Sequence, residues 1–197
     1  MMAISRWGIL AGLLMVLGCA GPAPRIYILG PPAPPLSGMA SEAGRPIIEL
    51  KTVTVPDYLD TLDIQLRDGQ NALNVSKTGR WGERLSVGVT RALEDDLTRR
   101  LPGVVIARSV PSGQPARTLL VTVDAFDIMP DGRCVLAARW SVIGTDRHTV
   151  AASERASIVT MVANSANGLK DADVVAAMAA AVNQLSDRVA FTLSRTR

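Results

Sequence analysis

Residues 85–101 read LSVGVTRALEDDLTRRL, and this stretch contains the clearest helix signal in the chain. Leucine or valine recurs every four residues, so one face of a helix would be apolar and could pack on a sheet. Acidic residues precede arginines by four positions, the order that stabilises a helix surface. Pro102-Gly103 then marks the end of the pattern. The stretch is therefore predicted to be an amphipathic helix.

The segments on both sides of this helix have the alternating or β-branched composition that is typical of strands. A second helix is predicted near the C-terminus, with Asp171 or Asp173 as its N-cap and an apolar stripe from Val174 to Val189. Short turns between strands favour antiparallel pairing. The predicted fold is α+β, an antiparallel-rich sheet with two amphipathic helices packed on one face, in a single domain spanning 46–197. The predicted strands are 48–55, 62–67, 72–76, 104–107, 119–128, 134–143 and 149–162.

The N-terminal residues have the three parts of a secretory signal peptide. Arg6 provides a basic start, Trp7–Leu17 is a short apolar run, and a small residue precedes Cys19. A transmembrane helix would need about 20 apolar residues, which is more than this run contains. Because residues 16–19 resemble the bacterial lipobox, residues 1–18 are predicted to be a lipoprotein signal peptide, with Cys19 as the lipid-attachment residue. Ordinary secretion, with a cysteine at this position by chance, is the alternative.

A lipidated Cys19 would hold the protein at a membrane of a Gram-negative envelope. Ala20 stands where an aspartate would signal retention in the inner membrane, so the expected location is the outer membrane, facing the periplasm. Several acyl chains, palmitate among them, would anchor the protein stably, whereas one chain binds only marginally. Residues 19–45 are rich in proline and glycine and are predicted to be an extended tether. Within this tether the apolar segment Ile26–Leu29 is expected to dock on the domain as a short edge strand.

Composition argues against a nucleic-acid-binding protein and against an enzyme. The formal net charge is only +3, and lysine and arginine do not cluster with aromatic residues. The single histidine, His148, lies in a predicted turn, and the sequence has no metal-ligand spacing, nucleophile elbow or Walker-type phosphate loop. Cys134 has no partner once Cys19 is lipidated and is predicted to be a small buried hydrophobic residue. An enzyme whose site appears only as a pocket of perturbed ionisable groups stays open as an alternative.

A series of motifs follows the lipobox in a recognisable order. They are Tyr27-Ile-Leu-Gly-Pro31, Val55-Pro-Asp-Tyr-Leu-Asp60, Arg80-Trp-Gly-Glu-Arg-Leu85, Arg91-Ala-Leu93 and Asp96-Leu97. The series resembles the ABC-type transport auxiliary lipoproteins, the family of the PqiC lipoproteins, over nearly the whole mature chain. Gly82 and Arg84 stand where alanine and proline are common in that family, and Thr61 stands where a basic residue is frequent.

The resemblance implies an accessory role in transport. Lipoproteins of this family accompany an ABC transporter and an MCE-domain protein that carries lipids between the inner and outer membranes. The protein is then expected to dock this conduit at the outer membrane, as a ring of identical subunits, without a cofactor of its own. ATP hydrolysis would belong to a separate subunit. The alternative is an assembly or scaffolding lipoprotein of another outer-membrane complex.

Two aromatic residues in these motifs are candidate partner-binding residues. Trp81 directly precedes the first helix, where a large aromatic residue is expected to pack the start of the helix onto the sheet; contact with a partner is the alternative. Tyr58 lies in a predicted loop between Asp57 and Asp60, where an exposed aromatic residue with polar neighbours can contact a partner.

Overall fold

The computed structural model describes residues 23–30, 44–111, 116–163 and 168–196, so Cys19 and most of the predicted tether lie outside the described residues. Within these ranges the chain forms two sheets and two helices. The elements in chain order are β1 (Arg25–Tyr27), β2 (Ile47–Leu50), β3 (Asp63–Asp68), β4 (Ala72–Trp81), α1 (Leu85–Arg100), β5 (Val105–Ala107), β6 (Ala116–Ile128), β7 (Arg133–Ile143), β8 (Val150–Met161) and α2 (Asp171–Arg195).

The larger sheet has five strands in the order β5-β2-β6-β7-β8. Its last three strands are 13, 11 and 12 residues long and form an antiparallel meander. Because alternate residues of a strand point to opposite faces, Leu136, Trp140 and Val142 of β7 all lie on one face, where they are almost inaccessible to solvent. β2 pairs in parallel with β5 and β6, since a long connection that includes α1 separates it from both.

The smaller sheet has the order β1-β4-β3. β3 and β4 form an antiparallel hairpin, and Gly69 in its turn has a φ of 75°, a conformation that glycine adopts without strain. β1 pairs in parallel with the end of β4, so that Tyr27 lies beside Trp81. The apolar segment that was expected to dock as an edge strand therefore does so. The folded domain in the described residues begins at β1, well before residue 46.

Both helices pack on the apolar face of the five-stranded sheet. The Trp140 Nε1–H of β7 donates to Thr192 Oγ1 of α2 at 3.1 Å. Between the helices lies the buried carboxylate of Asp96, which accepts a hydrogen bond from Ser186 Oγ at 3.0 Å and forms ion pairs with two arginines of its own helix. A buried charge is tolerated when it is paired in this way. None of the helices in the described ranges is long and apolar enough to cross a membrane.

The predicted α+β class is confirmed, but the strands are divided differently from the prediction. They form two mixed sheets, because β1 and β2 both pair in parallel with strands that are distant in sequence. β2 ends at Leu50 instead of continuing to residue 55, and the chain rejoins β6 only through an isolated bridge between Thr54 and Thr122. β4 continues to Trp81 instead of ending at residue 76, which gives β1 its partner.

The predicted N-cap of α2 is also corrected. Lys170 occupies the N-cap position and makes no side-chain capping bond. Asp171 is the first helical residue, and its carboxylate accepts a hydrogen bond from Thr78 Oγ1 of β4 at 2.6 Å. Since this carboxylate contacts the smaller sheet, Asp171 connects the start of α2 to β4 rather than capping the helix.

Candidate functional site

The motifs that are far apart in the sequence meet where α1 begins. We call this region the α1 junction; it comprises residues 27–30, 57–60 and 80–91. Arg84 is the N-cap of α1 but makes no side-chain capping bond; instead the Ser86 N–H donates to Asp60 Oδ1 at 3.0 Å. A carboxylate at this position satisfies one of the free N–H groups of the helix and is favoured by the helix dipole. Asp60 therefore caps α1 from a separate segment of the chain.

Arg91 connects the first turns of α1 to β1. Its Nε and Nη2 groups donate to Glu83 Oε1 at 3.0 and 2.8 Å, and Nη2 also donates to the Leu29 carbonyl at 2.9 Å. The Gly82 N–H donates to the Tyr27 carbonyl at 2.8 Å. One guanidinium and one main-chain bond thus join the end of β1 to the segment that precedes the helix.

Trp81 lies inside the α1 junction. It is 6% exposed and belongs to the same buried cluster as Leu85. Its main-chain N–H donates to the Leu62 carbonyl at 2.8 Å. A tryptophan in such a position contributes mainly through the apolar area that it buries. This burial favours the packing role. Contact of Trp81 with a partner remains a prediction.

Tyr58 lies at the surface, at the edge of the α1 junction. It is 36% exposed, and its hydroxyl donates to Asp127 Oδ1 of β6 at 3.4 Å. Arg67 of β3 donates to both oxygens of the same carboxylate, at 2.9 and 3.2 Å, and its guanidinium lies 5.7 Å from the centre of the Tyr58 ring. The Gln65 side-chain amide donates to the Tyr58 carbonyl. These contacts hold the aromatic ring where the two sheets meet.

The chemistry of this cluster suits binding better than catalysis. Burial raises the pKa of Tyr58 above its usual value, and the nearby negative charge of Asp127 raises that pKa further. The hydrogen bond to Asp127 raises the pKa of Arg67. A phenol with a raised pKa stays protonated at neutral pH, so it is a poor nucleophile and a poor base. The ring and hydroxyl of Tyr58 remain available as a contact surface.

The reactive side chains lie away from the α1 junction. Cys134 is fully buried, as predicted, and this burial raises the pKa of its thiol to about 11, so it is a neutral thiol near pH 7. His148 is exposed in the turn between β7 and β8, where its main-chain N–H donates to Asp146 Oδ1 at 3.0 Å. Within the described ranges, histidine, cysteine and acidic residues form no group that could hold a metal ion.

A cavity of about 670 Å³ lies at the opposite end of the helices, between the ends of α1 and α2 and the start of β2. Its walls are mostly apolar, and the ionisable residues among those that line it are Arg100 and Arg117. Arg117 Nη1 donates to the carbonyls of Leu193 and Thr196, at 3.4 and 2.7 Å. Arginines that bind helix-terminal carbonyls support the fold and are not general acids or bases. This cavity therefore gives no support to the alternative of an enzyme.

Comparison with known families agrees with the motifs at the α1 junction. The model of the family described as "ABC-type transport auxiliary lipoprotein component" matches residues 27–190, and the chain belongs to this family. It is similar to the intermembrane transport lipoprotein PqiC of Escherichia coli K12, with 26% identity over 138 residues that cover 70% of this chain and 73% of the relative. The PqiC protein of Shigella flexneri matches to the same extent.

Two solved structures have the same fold. The crystal structure of an uncharacterized protein aligns with a TM-score of 0.71 at 20% identity, over 86% of this chain and 98% of its own. A protein from Xanthomonas campestris aligns with a TM-score of 0.62 at 15% identity, over 87% of this chain and 95% of its own.

The sequence indicated the motifs but not what joins them. Asp60 and Ser86 are 26 positions apart, and Arg91 and Leu29 are 62 positions apart. Glu83 was the one sequence signal of a contact at the start of α1, because it is an acidic residue just before an amphipathic helix. Its carboxylate accepts a hydrogen bond from Arg91 instead of capping the helix. Cys19, the predicted lipid-attachment residue, lies outside the described residues.

Proposed function

We propose that this protein is the lipid-anchored accessory component of an ABC/MCE-type intermembrane lipid transport system, and that it docks the conduit at the periplasmic side of the outer membrane. The observation that carries the proposal is the family match, which extends over 27–190 and so spans nearly the whole described domain. Similarity to PqiC, which is named an intermembrane transport lipoprotein, supports this type of transport.

The surface at Tyr58 supports a role in binding. Tyr58 is 36% exposed, and its hydroxyl, whose pKa is raised, stays protonated at neutral pH. The proposed partners are an MCE-domain protein and the ABC transporter subunits, and the proposed assembly is a ring of identical subunits. Tyr58 is the proposed contact residue, because its ring is exposed yet held in place by Arg67 and Asp127.

Photo-crosslinking in intact membranes tests the proposed partner. A photoreactive amino acid would replace Tyr58 in one variant and Val159 of β8 in a control variant, since Val159 is also exposed, at 53%. Position 58 is expected to give an adduct with an MCE-domain protein, and position 159 is expected to give none. If an intact, membrane-bound protein yields no MCE-domain partner, the proposal is wrong. Capture of a different outer-membrane complex instead would support the scaffolding alternative.

The anchor has its own test. Cys19→Ala is expected to abolish incorporation of radiolabelled palmitate and to release the domain from the membrane fraction. Cys134→Ala is the matched control, because this buried thiol should have no part in lipid attachment. Unchanged labelling of the Cys19→Ala variant would contradict lipidation at this residue.

A further inference from the structure

The pairing of β1 with β4 shortens the arm between the lipid and the folded domain. Cys19 precedes Arg25, the first residue of β1, by only six positions. An extended chain spans at most about 3.6 Å per residue, so this arm can reach about 22 Å. The proline-rich residues 31–43 follow β1 and therefore add nothing to its length. Whatever surface surrounds β1 must then lie close to the membrane.

The surface around β1 is apolar where it is most exposed. Ile26 and Ile28 are 73% and 57% exposed, and Ile26 is the most exposed large apolar side chain in the described part of the chain. Both lie beside Gly82: a Cβ at that glycine would be 3.1 Å from Ile26 Cγ2 and 3.5 Å from Ile28 Cγ1. The missing side chain therefore leaves room for the two isoleucines to lie together over the end of β4.

Two arginines accompany these isoleucines. Arg80 is the register partner of Ile26, and Arg84 follows Gly82 by two positions. Arg80 and Arg84 are 49% and 68% exposed, and each lies 3.8 Å from an aspartate. Exposed ion pairs of this length contribute little to stability, so both guanidiniums can bind phosphate groups without breaking a strong contact.

We propose that the anchor-side face, formed by Ile26, Ile28, Arg80 and Arg84, rests on the membrane that holds Cys19. The isoleucines enter the interfacial layer and the arginines bind anionic lipid headgroups. This combination of apolar contact and positive charge is how proteins lie on membranes, and it acts as a second signal beside the lipid anchor. The inference rests on the anchor of the proposed function, and it adds the orientation of the domain.

The test uses the acylated protein in vesicles that contain phosphatidylglycerol. An environment-sensitive NBD fluorophore is attached to a single introduced cysteine, Ile28→Cys in one variant and Val159→Cys in the control, whose parent residues are 57% and 53% exposed. Cys134 stays unlabelled because it is buried and its pKa is about 11. Lipids with a doxyl group near the headgroup should quench the label at position 28 at least threefold more strongly than the label at position 159.

The possible results separate this inference from the proposed function. Missing acyl mass on the purified protein would refute the anchor itself. Acylated protein with equal quenching at positions 28 and 159 would overturn the orientation and leave the anchor intact. A blue-shifted label at position 28 that doxyl lipids do not quench would show that the face is covered by a second copy, which also overturns the inference.

The arginines have a separate readout. Each basic residue near an anionic membrane strengthens binding about fivefold at low salt. Replacing phosphatidylglycerol by a zwitterionic lipid should therefore weaken quenching at position 28, and the double change Arg80→Gln and Arg84→Gln should remove this dependence on lipid charge. If the double variant keeps the same dependence, the arginines are not the groups that bind the headgroups.

Discussion

Where α1 begins, side chains and main chain from three separate segments are joined by hydrogen bonds of 2.8–3.0 Å. Where α1 and α2 end, a cavity of about 670 Å³ lies open between them. Apart from Asp96-Leu97, the motifs that carry the family resemblance lie at the first end, and the residues that line the cavity belong to none of the motifs. The motifs at the first end therefore hold β1 against the start of α1.

Removal of a large buried side chain at each end should give the largest difference in the free energy of unfolding. Trp81→Ala is expected to lower the free energy of unfolding by about 3–5 kcal/mol, because it leaves a large hole in the α1 junction. Leu193→Ala, at the wall of the existing cavity, should cost about 2 kcal/mol, at the low end of such changes. Denaturant unfolding followed by circular dichroism measures both. A smaller loss of stability for Trp81→Ala than for Leu193→Ala would contradict the tighter packing at the α1 junction.

Substitution of one arginine at each end should give a smaller difference in the free energy of unfolding. Arg91→Met leaves the Glu83 carboxylate and the Leu29 carbonyl without their donor and is expected to cost about 2 kcal/mol, as for hydrogen bonds to a charged group. Among the described residues, Arg45 donates to the neutral carbonyls of Pro102 and Val104, so Arg45→Met should cost about 1 kcal/mol. The same unfolding measurement applies. Equal losses would mean that the charged acceptor contributes nothing.

Capping of α1 by Asp60 should give a smaller effect. Asp60→Ala removes the acceptor of the Ser86 N–H and is expected to cost about 1 kcal/mol. Asp57→Ala is the control in the same loop and should change stability by less than about 0.5 kcal/mol, as for ordinary surface substitutions. Thermal unfolding of the two variants in parallel distinguishes them, and identical melting temperatures would refute capping across the chain.

The turn between β7 and β8 contacts neither end of the helices, and a substitution in this turn should give the smallest change in stability. Hydrogen bonds from Thr149 and from the main-chain N–H of His148 lower the pKa of Asp146 to about 2, from an ordinary 3.8. Because the folded state lowers this pKa, the carboxylate stabilises the protein above about pH 4 and loses that contribution as the pH falls towards 2. The stability advantage over Asp146→Asn should therefore shrink across this interval. An advantage that is constant from pH 6 to pH 2 would contradict the pKa.

Local patterns in the sequence predicted the local elements. The four-residue spacing from Leu85 gave α1 to within one residue, and alternation gave β7 and β8 closely. The division into two sheets could not be predicted, because parallel pairing of Arg25–Tyr27 with residues 79–81 has no local sequence signal. β2 was predicted too long because Val53 and Val55, after Leu50, are buried without continuing the strand.

The surroundings of the candidate residues could be predicted only in part. The exposure of Tyr58 agrees with its place in a polar loop, but its bonds to Arg67 and Asp127 depend on how the two sheets meet. Asp171 looked like an N-cap because acidic residues favour helix starts, yet Thr78 on a distant strand holds its carboxylate. Contacts of this kind depend on the tertiary structure and leave no pattern in neighbouring residues.

Amide hydrogen exchange at the α1 junction measures whether β1 is held against the start of α1. The Gly82 N–H donates to the Tyr27 carbonyl and the Ser86 N–H donates to Asp60, so both amides should exchange as slowly as those of β7, an inner strand of the larger sheet. In the Arg91→Met variant these two amides should exchange faster while those of β7 change little. Exchange of Gly82 and Ser86 at the rate of an unstructured peptide in the parent protein would contradict the account, since β1 would then not be held against the start of α1.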